Sequence, residues 1–133
     1  MFSLIFPGQG SQTIGMGKDF FENYDLVRDL FKEADDSLGA SLSKIILEGP
    51  KDELDLTINT QPAIFLISYS IFQVMKREFN MDLDNAKYFA GHSLGEYSAL
   101  CAAKYLSFSD TIKILKTRGN AMQNAVPKGE GGM

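Results

Sequence analysis

Val27, Leu30, Phe31, Ala34 and Leu38 follow the 3-4-3-4 spacing of an amphipathic helix over residues 25–38, and Gly39 predicts its end. A short helix over 41–47 is expected to stop at Gly49-Pro50, and 51–58 reads as weakly helical. From 62 to about 79 the first half is apolar nearly all round, which predicts a buried helix. Pro62 is expected as its first residue, capped by Gln61 or Thr60. Two continuous apolar runs differ from this pattern. Residues 2–6, closed by Pro7 and Gly8, read as a buried strand, and Tyr88-Phe89-Ala90 as the core of a second. A helix rich in small residues is expected over 94–105, with Gly95, Ser98, Ala99, Ala102 and Ala103 allowing close approach at the centre of the fold. Ser109 or Asp110 is expected to cap a last helix that runs to about Gln123, and the glycine-rich end at 127–133 has nothing to hold it. Helices around short strands predict an α/β fold with short parallel strands, although two strands are few for such a sheet.

Composition narrows the functions available. Apolar residues at 44% and charged residues at 23% belong to a globular chain, not a disordered one. The net charge of −4 offers no basic field for phosphates, so no nucleic-acid partner is expected. One His and one Cys cannot assemble a zinc site or an internal disulfide, so no metal is expected and a reducing, cytoplasmic location is. The apolar run at 62–75 is interrupted by Ser68, Ser70 and Gln73, too short and too polar to span a membrane. The first residues lack the basic start of a signal peptide.

Gly91-His92-Ser93-Leu94-Gly95 matches the G-x-S-x-G nucleophile elbow, in the strand-then-helix setting that the motif requires. The glycines let the chain turn sharply, so that Ser93 stands at the tip with free helix amides beside it. A plainer account makes Ser93 a helix N-cap. His92 is not expected to be the base, because adjacent side chains diverge at such a turn and a base must sit within about 3 Å of the hydroxyl. No second His exists in the chain, so these residues do not contain the usual activating base. Gly8-Gln9-Gly10-Ser11-Gln12 is not a phosphate loop, since Thr13 stands where G-x-G-x-x-G needs glycine. In a parallel sheet it would lie at the same carboxyl edge as the elbow. An amide there could serve as a second oxyanion donor, or the turn could be chosen for its backbone alone. Arg118 falls between Ile114 and Leu115 on the apolar arc of the last helix. Two accounts are open: an ion pair with a carboxylate such as Glu96 (or a side chain reaching out to solvent), and a bidentate clamp for a substrate carboxylate.

Phe6-Pro7-Gly8-Gln9-Gly10-Ser11-Gln12, Thr60-Gln61-Pro62-Ala63, the elbow continued as Glu96-Tyr97-Ser98-Ala99-Leu100, and Arg118-Gly119 occur in that order. Together they resemble the malonyl-CoA:acyl-carrier-protein transacylases of type II fatty-acid synthesis and the related acyltransferase domains of polyketide synthases. The resemblance implies an incomplete α/β-hydrolase-like acyltransferase domain. It implies Ser93 as the nucleophile that carries a malonyl ester, the Gln9 and Leu94 N–H groups as the oxyanion hole, and Arg118 as the malonyl-carboxylate ligand. Gln61 and His92 would also be substrate-binding residues, Gln61 lining the pocket and His92 as the neighbour of the elbow, not the base. The implied partners are malonyl-CoA and an acyl carrier protein bearing phosphopantetheine, with no cofactor of the enzyme's own. Members of that family are longer. Their catalytic His, a second pocket Gln and a ferredoxin-like subdomain are expected after residue 133, so residues 1–133 would be the N-terminal portion of the domain and inactive alone. A serine hydrolase such as a thioesterase, or a non-catalytic fragment, are the competing accounts; a hydrolase has no need of a carboxylate clamp.

Overall fold

The computed structural model describes residues 1–126 and Glu130; the untethered end expected at 127–133 lies, Glu130 aside, outside them. β1 (Ser3–Phe6) pairs in parallel with β2 (Tyr88–Gly91), with Ser3 opposite Tyr88 and Phe6 opposite Gly91. These are the strands of the sheet among the described residues. The expectation of a buried first strand needs correction. Only Phe6 is buried, while Ile5 is 79% exposed and Phe2 42% exposed. The sheet is covered on one face, so side chains alternate between core and solvent.

Between the strands run α1 (Lys18–Asn23), α2 (Asp25–Leu38), α3 (Leu42–Glu48), α4 (Lys51–Leu54) and α5 (Thr57–Arg77). After β2 come α6 (Gly95–Ala102) and α7 (Phe108–Ala125). α2 ends as expected, with Gly39 left-handed at φ 61°. α1 was not anticipated; it is short and buries no residue.

α5 does not begin at Pro62. It starts five residues earlier, and Pro62 sits inside it. Side-chain bonds settle the earlier start. Thr60 Oγ1 donates to the Leu54 carbonyl at 2.5 Å, Asn59 Nδ2 donates to the Glu53 carbonyl at 2.9 Å, and the Thr57 N–H donates to Gln123 Oε1 at 3.0 Å. These contacts outweigh the bond that proline forfeits to the carbonyl four residues back. The buried character of the first half holds: residues 59–66 are all buried.

α7 is capped by Ser107, whose Oγ accepts from the Asp110 N–H at 3.1 Å; the cap is neither Ser109 nor Asp110. α6 stops at Ala102 instead of running to 105, because Lys104 turns left-handed at φ 68° and its amine reaches Asp84 at 2.8 Å. Its small side chains do place it centrally, packed on both strands, α5 and α7. One core cluster fills the space between α2, α3, α5 and α7, with Phe65 stacked 5.3 Å from Phe108. A smaller one, Phe6, Phe72, Leu83, Ala99 and Ala102, fastens the sheet to α5 and α6. No helix among the described residues is long and apolar enough to cross a membrane.

Candidate active site

The end of β2 turns into α6 through His92, Ser93 and Leu94. Ser93 adopts φ 55°, left-handed for a residue with a side chain, at a cost of about 1–3 kcal/mol. The turn is held by Gly95 N–H to the His92 carbonyl at 2.9 Å and Glu96 N–H to the Ser93 carbonyl at 3.1 Å. Gly91 allows the fold-back: a Cβ there would lie 1.9 Å from the carbonyl carbon of Gly95. Ser93 is exposed, and its hydroxyl caps no helix amide. It accepts from Arg118 Nη2 at 3.1 Å.

The first turn packs directly against this elbow. The His92 N–H donates to the Phe6 carbonyl at 3.2 Å, extending the ladder by one residue. A Cβ on Gly95 would lie 2.4 Å from the Phe6 carbonyl oxygen and 2.7 Å from that of Pro7. One on Gly8 would lie 2.6 Å from His92 Nδ1. Gly8 and Gly95 therefore bring the backbone around Gln9 up to Ser93 and Leu94. Neither the Gln9 nor the Leu94 N–H has an acceptor among the described residues. Both are free donors of the kind an oxyanion needs.

His92 is exposed, lies against Gly8, and makes no hydrogen bond to Ser93 among the described residues. Arg118 is half-buried at the border of the α7 core face and does not sit in its middle. That face is built by Phe108, Thr111, Ile112, Leu115 and Gly119, whereas Ile114 is 38% exposed. Among the described residues no carboxylate pairs with Arg118, so the expected Glu96 partner is not used. Its Nη1 donates to Gln61 Oε1 at 2.7 Å, and its carbon lies 5.7 Å from the Tyr97 ring centre. Gln61 is 1% exposed. An arginine can only donate, so the amide oxygen must face it. The amide nitrogen then donates to Met122 Sδ at 3.1 Å.

Ser93, Gln61 and Arg118 are thus joined by hydrogen bonds, with the Gln9 turn alongside. Met122 and Tyr97 were missed from sequence; Met122 lies one helical turn beyond Arg118, a spacing that offered the signal. An apolar groove of about 310 Å³ along β1, lined by Leu4, Phe6, Ile64, Ile67, Phe72 and Met75, reaches the Gln9 turn at Ser11 but is not lined by Ser93, Gln61 or Arg118. No group of three metal-ligating side chains occurs among the described residues.

The sequence and the fold are similar to those of known proteins. Residues 3–133 match the acyl transferase domain family. The chain is 47% identical over 132 residues to the malonyl CoA-acyl carrier protein transacylase of Haemophilus influenzae, covering 99% of this chain and 42% of that protein. It is 48% identical to the enzyme of the same name from Bacillus subtilis strain 168, covering 98% and 40%. An acyl-carrier-protein-S-malonyltransferase from Bartonella henselae superposes with a TM-score of 0.89 at 50% identity, covering 96% of this chain and 41% of that one. A malonyl-transacylase in complex with a type II polyketide acyl-carrier protein superposes at 0.86, with 41% identity over 96% and 40%. The chain spans about two fifths of the length of these relatives. With the match running from the first strand through the elbow to the last helix, the chain belongs to the acyl transferase domain family.

Proposed function

We propose that this chain supplies the nucleophile, oxyanion turn and carboxylate ligand of a malonyl-CoA:acyl-carrier-protein transacylase of fatty-acid synthesis. Residues 1–133 are the N-terminal portion of its acyltransferase domain. The catalytic histidine and the ferredoxin-like subdomain belong to the remainder of the protein. The observation that carries this reading is the Arg118 guanidinium, 3.1 Å from the Ser93 hydroxyl and held by a neutral Gln61. A partly buried cation that pairs with no carboxylate among the described residues, beside a serine at a strained elbow, suits an acyl group that itself ends in a carboxylate.

In the first half-reaction a base outside these residues takes the Ser93 proton, and Oγ bonds to the thioester carbonyl carbon of malonyl-CoA. The carbonyl electrons move onto oxygen, where the Gln9 and Leu94 N–H groups stabilise them. Collapse breaks the carbon–sulfur bond. The CoA sulfur leaves as thiol, taking the proton from the base, and the malonyl ester remains on Ser93. In the second half the phosphopantetheine thiol of the carrier protein attacks that ester by the same path. Arg118 holds the distal carboxylate throughout, and Gln61 and Tyr97 hold Arg118. The acyl group is carried by oxygen and sulfur alone, so the reaction calls for no cofactor, and a cytoplasmic location suits its CoA and carrier substrates.

The test is acyl selection in the full-length protein. Arg118→Ala should weaken malonyl transfer by about 2–5 kcal/mol while leaving acetyl transfer nearly unchanged. Equal losses for malonyl and acetyl groups would return Arg118 to a structural role and remove the basis for malonyl as substrate.

A further inference from the structure

The turn that brings Gln9 to the elbow is tethered through its own side chain. Gln9 Nε2 donates to Thr57 Oγ1 at 3.2 Å. Thr57 is the first residue of α5, and its N–H donates to Gln123 Oε1 at 3.0 Å. Gln123 lies on α7, the helix that carries Arg118. One residue therefore touches the oxyanion turn with its hydroxyl and the arginine helix with its backbone.

The tether does not look like a device for stability. Gln9 Oε1 is buried and has no hydrogen-bond partner among the described residues. A buried carboxamide with an unpaired oxygen is a net burden on the fold. At the tip of the turn Gly10 has φ 110°, and a Cβ there would meet nothing within 4 Å. Apart from a second tie, Gln12 Nε2 to Asp55 Oδ1 at 3.0 Å, the bonds near Gln9 stay within the turn. An amide must be held to be aimed, and a misplacement of about 1 Å can cost about a hundredfold in rate.

We propose that Thr57 is a positioning residue for acyl transfer: its hydroxyl holds the Gln9 carboxamide and so aims the Gln9 N–H at the carbonyl oxygen of the group on Ser93. The Thr57 N–H, held by Gln123, keeps that aim in register with Arg118. The inference rests on the reading of Ser93 as the acyl-carrying nucleophile. Because the N–H acts on charge that develops only in the transition state, the effect belongs to kcat and not to KM.

In the full-length protein, Thr57→Val removes the hydroxyl at nearly constant volume, and Thr57→Ser retains it. Thr57→Val should lower kcat for malonyl transfer by about 10- to 100-fold, with KM for malonyl-CoA changed less than about threefold. Thr57→Ser should return kcat to within about threefold of wild type. Gln9→Met should match Thr57→Val, and the double variant should lose no more than the worse single one, since both break the same contact. A silent Thr57→Val, a loss carried by KM, a serine variant no better than valine, or additive losses would each overturn the proposal. If Thr57→Val does not fold, Gln9→Met decides by the same kcat and KM criteria. Ser93→Ala in the same assay separates the two readings. Transfer that survives it overturns the functional reading, and the inference with it. A dead Ser93→Ala beside a silent Thr57→Val overturns the inference alone.

Discussion

A methyl group at position 95 would sit 2.4 Å from the Phe6 carbonyl oxygen, 2.7 Å from that of Pro7 and 2.9 Å from the Phe6 carbonyl carbon. All three atoms are backbone, so no side chain can swing aside. Ordinary contact begins near about 3.5 Å, so the end of β1 must retreat by about 1 Å. Gly95 opens α6, where alanine gains up to about 1 kcal/mol of helix propensity. Overpacking of this kind costs about 1–3 kcal/mol, so Gly95→Ala should be destabilising by about 1–2 kcal/mol net. The larger consequence is catalytic. The retreating backbone leads directly into Gln9, and a shift of about 1 Å away from the elbow should lower transfer by about a hundredfold. Gly39→Ala is the control. Gly39 has φ 61° with open space around it, so its alanine costs about 1–2 kcal/mol of backbone strain far from Ser93. Urea unfolding and malonyl transfer measured on both full-length variants should give similar stabilities and very different rates. Equal rates for the two would refute the argument that the glycines serve the approach of the Gln9 turn to the elbow.

Ser107→Ala removes the cap bond to the Asp110 N–H and should cost about 1 kcal/mol by thermal or urea unfolding, with no change in transfer. Cys101 is 3% exposed, and burial pushes its thiol pKa up, so a disulfide reagent at neutral pH should label it only after unfolding; rapid labelling of the folded protein would contradict its placement. The Lys51 amine, and then the Gln12 amide, hold the Asp55 carboxyl below its ordinary value. A depressed folded pKa gives stability that is present above about 3.9 and is lost as pH falls through the folded value. Protection of the Gln9–Gln12 amides, taken relative to their intrinsic exchange rate at each pH, should therefore fall below about pH 4, and Asp55→Asn should remove that fall.

The local rules that succeed in this chain are those whose causes are local. Gly39 ends α2 because only a residue free of a Cβ enters the left-handed region without strain. Gly91 marks the elbow because a Cβ there would strike the backbone of Gly95, four residues on. The failures have distant causes. Pro62 looks like a helix start, yet α5 is begun by Thr57, whose N–H finds Gln123 on another helix. Arg118 looks central to an apolar arc because Ile114 counts as core by type; the true face turns toward Thr111 and Gly119, where a Cβ would meet the Thr57 carbonyl oxygen at 2.6 Å. Ser107 was legible but overlooked: its three-residue spacing to Asp110 has the form of a capping box. The contacts that orient Arg118 through Gln61 of α5 and Tyr97 of α6 join different helices, and no pattern of composition or period reveals them.

The central claim is that Ser93 carries the malonyl group while Arg118 holds its free carboxylate. Mass spectrometry of the full-length protein, incubated with malonyl-CoA and quenched in acid before carrier protein is added, tests it most directly. The account predicts one malonyl ester, mapped to the peptide containing Ser93, absent in Ser93→Ala, and discharged when phosphopantetheinylated carrier protein is supplied. A malonyl group mapped to another residue, or an ester on Ser93 that water removes but the carrier thiol does not, would contradict it.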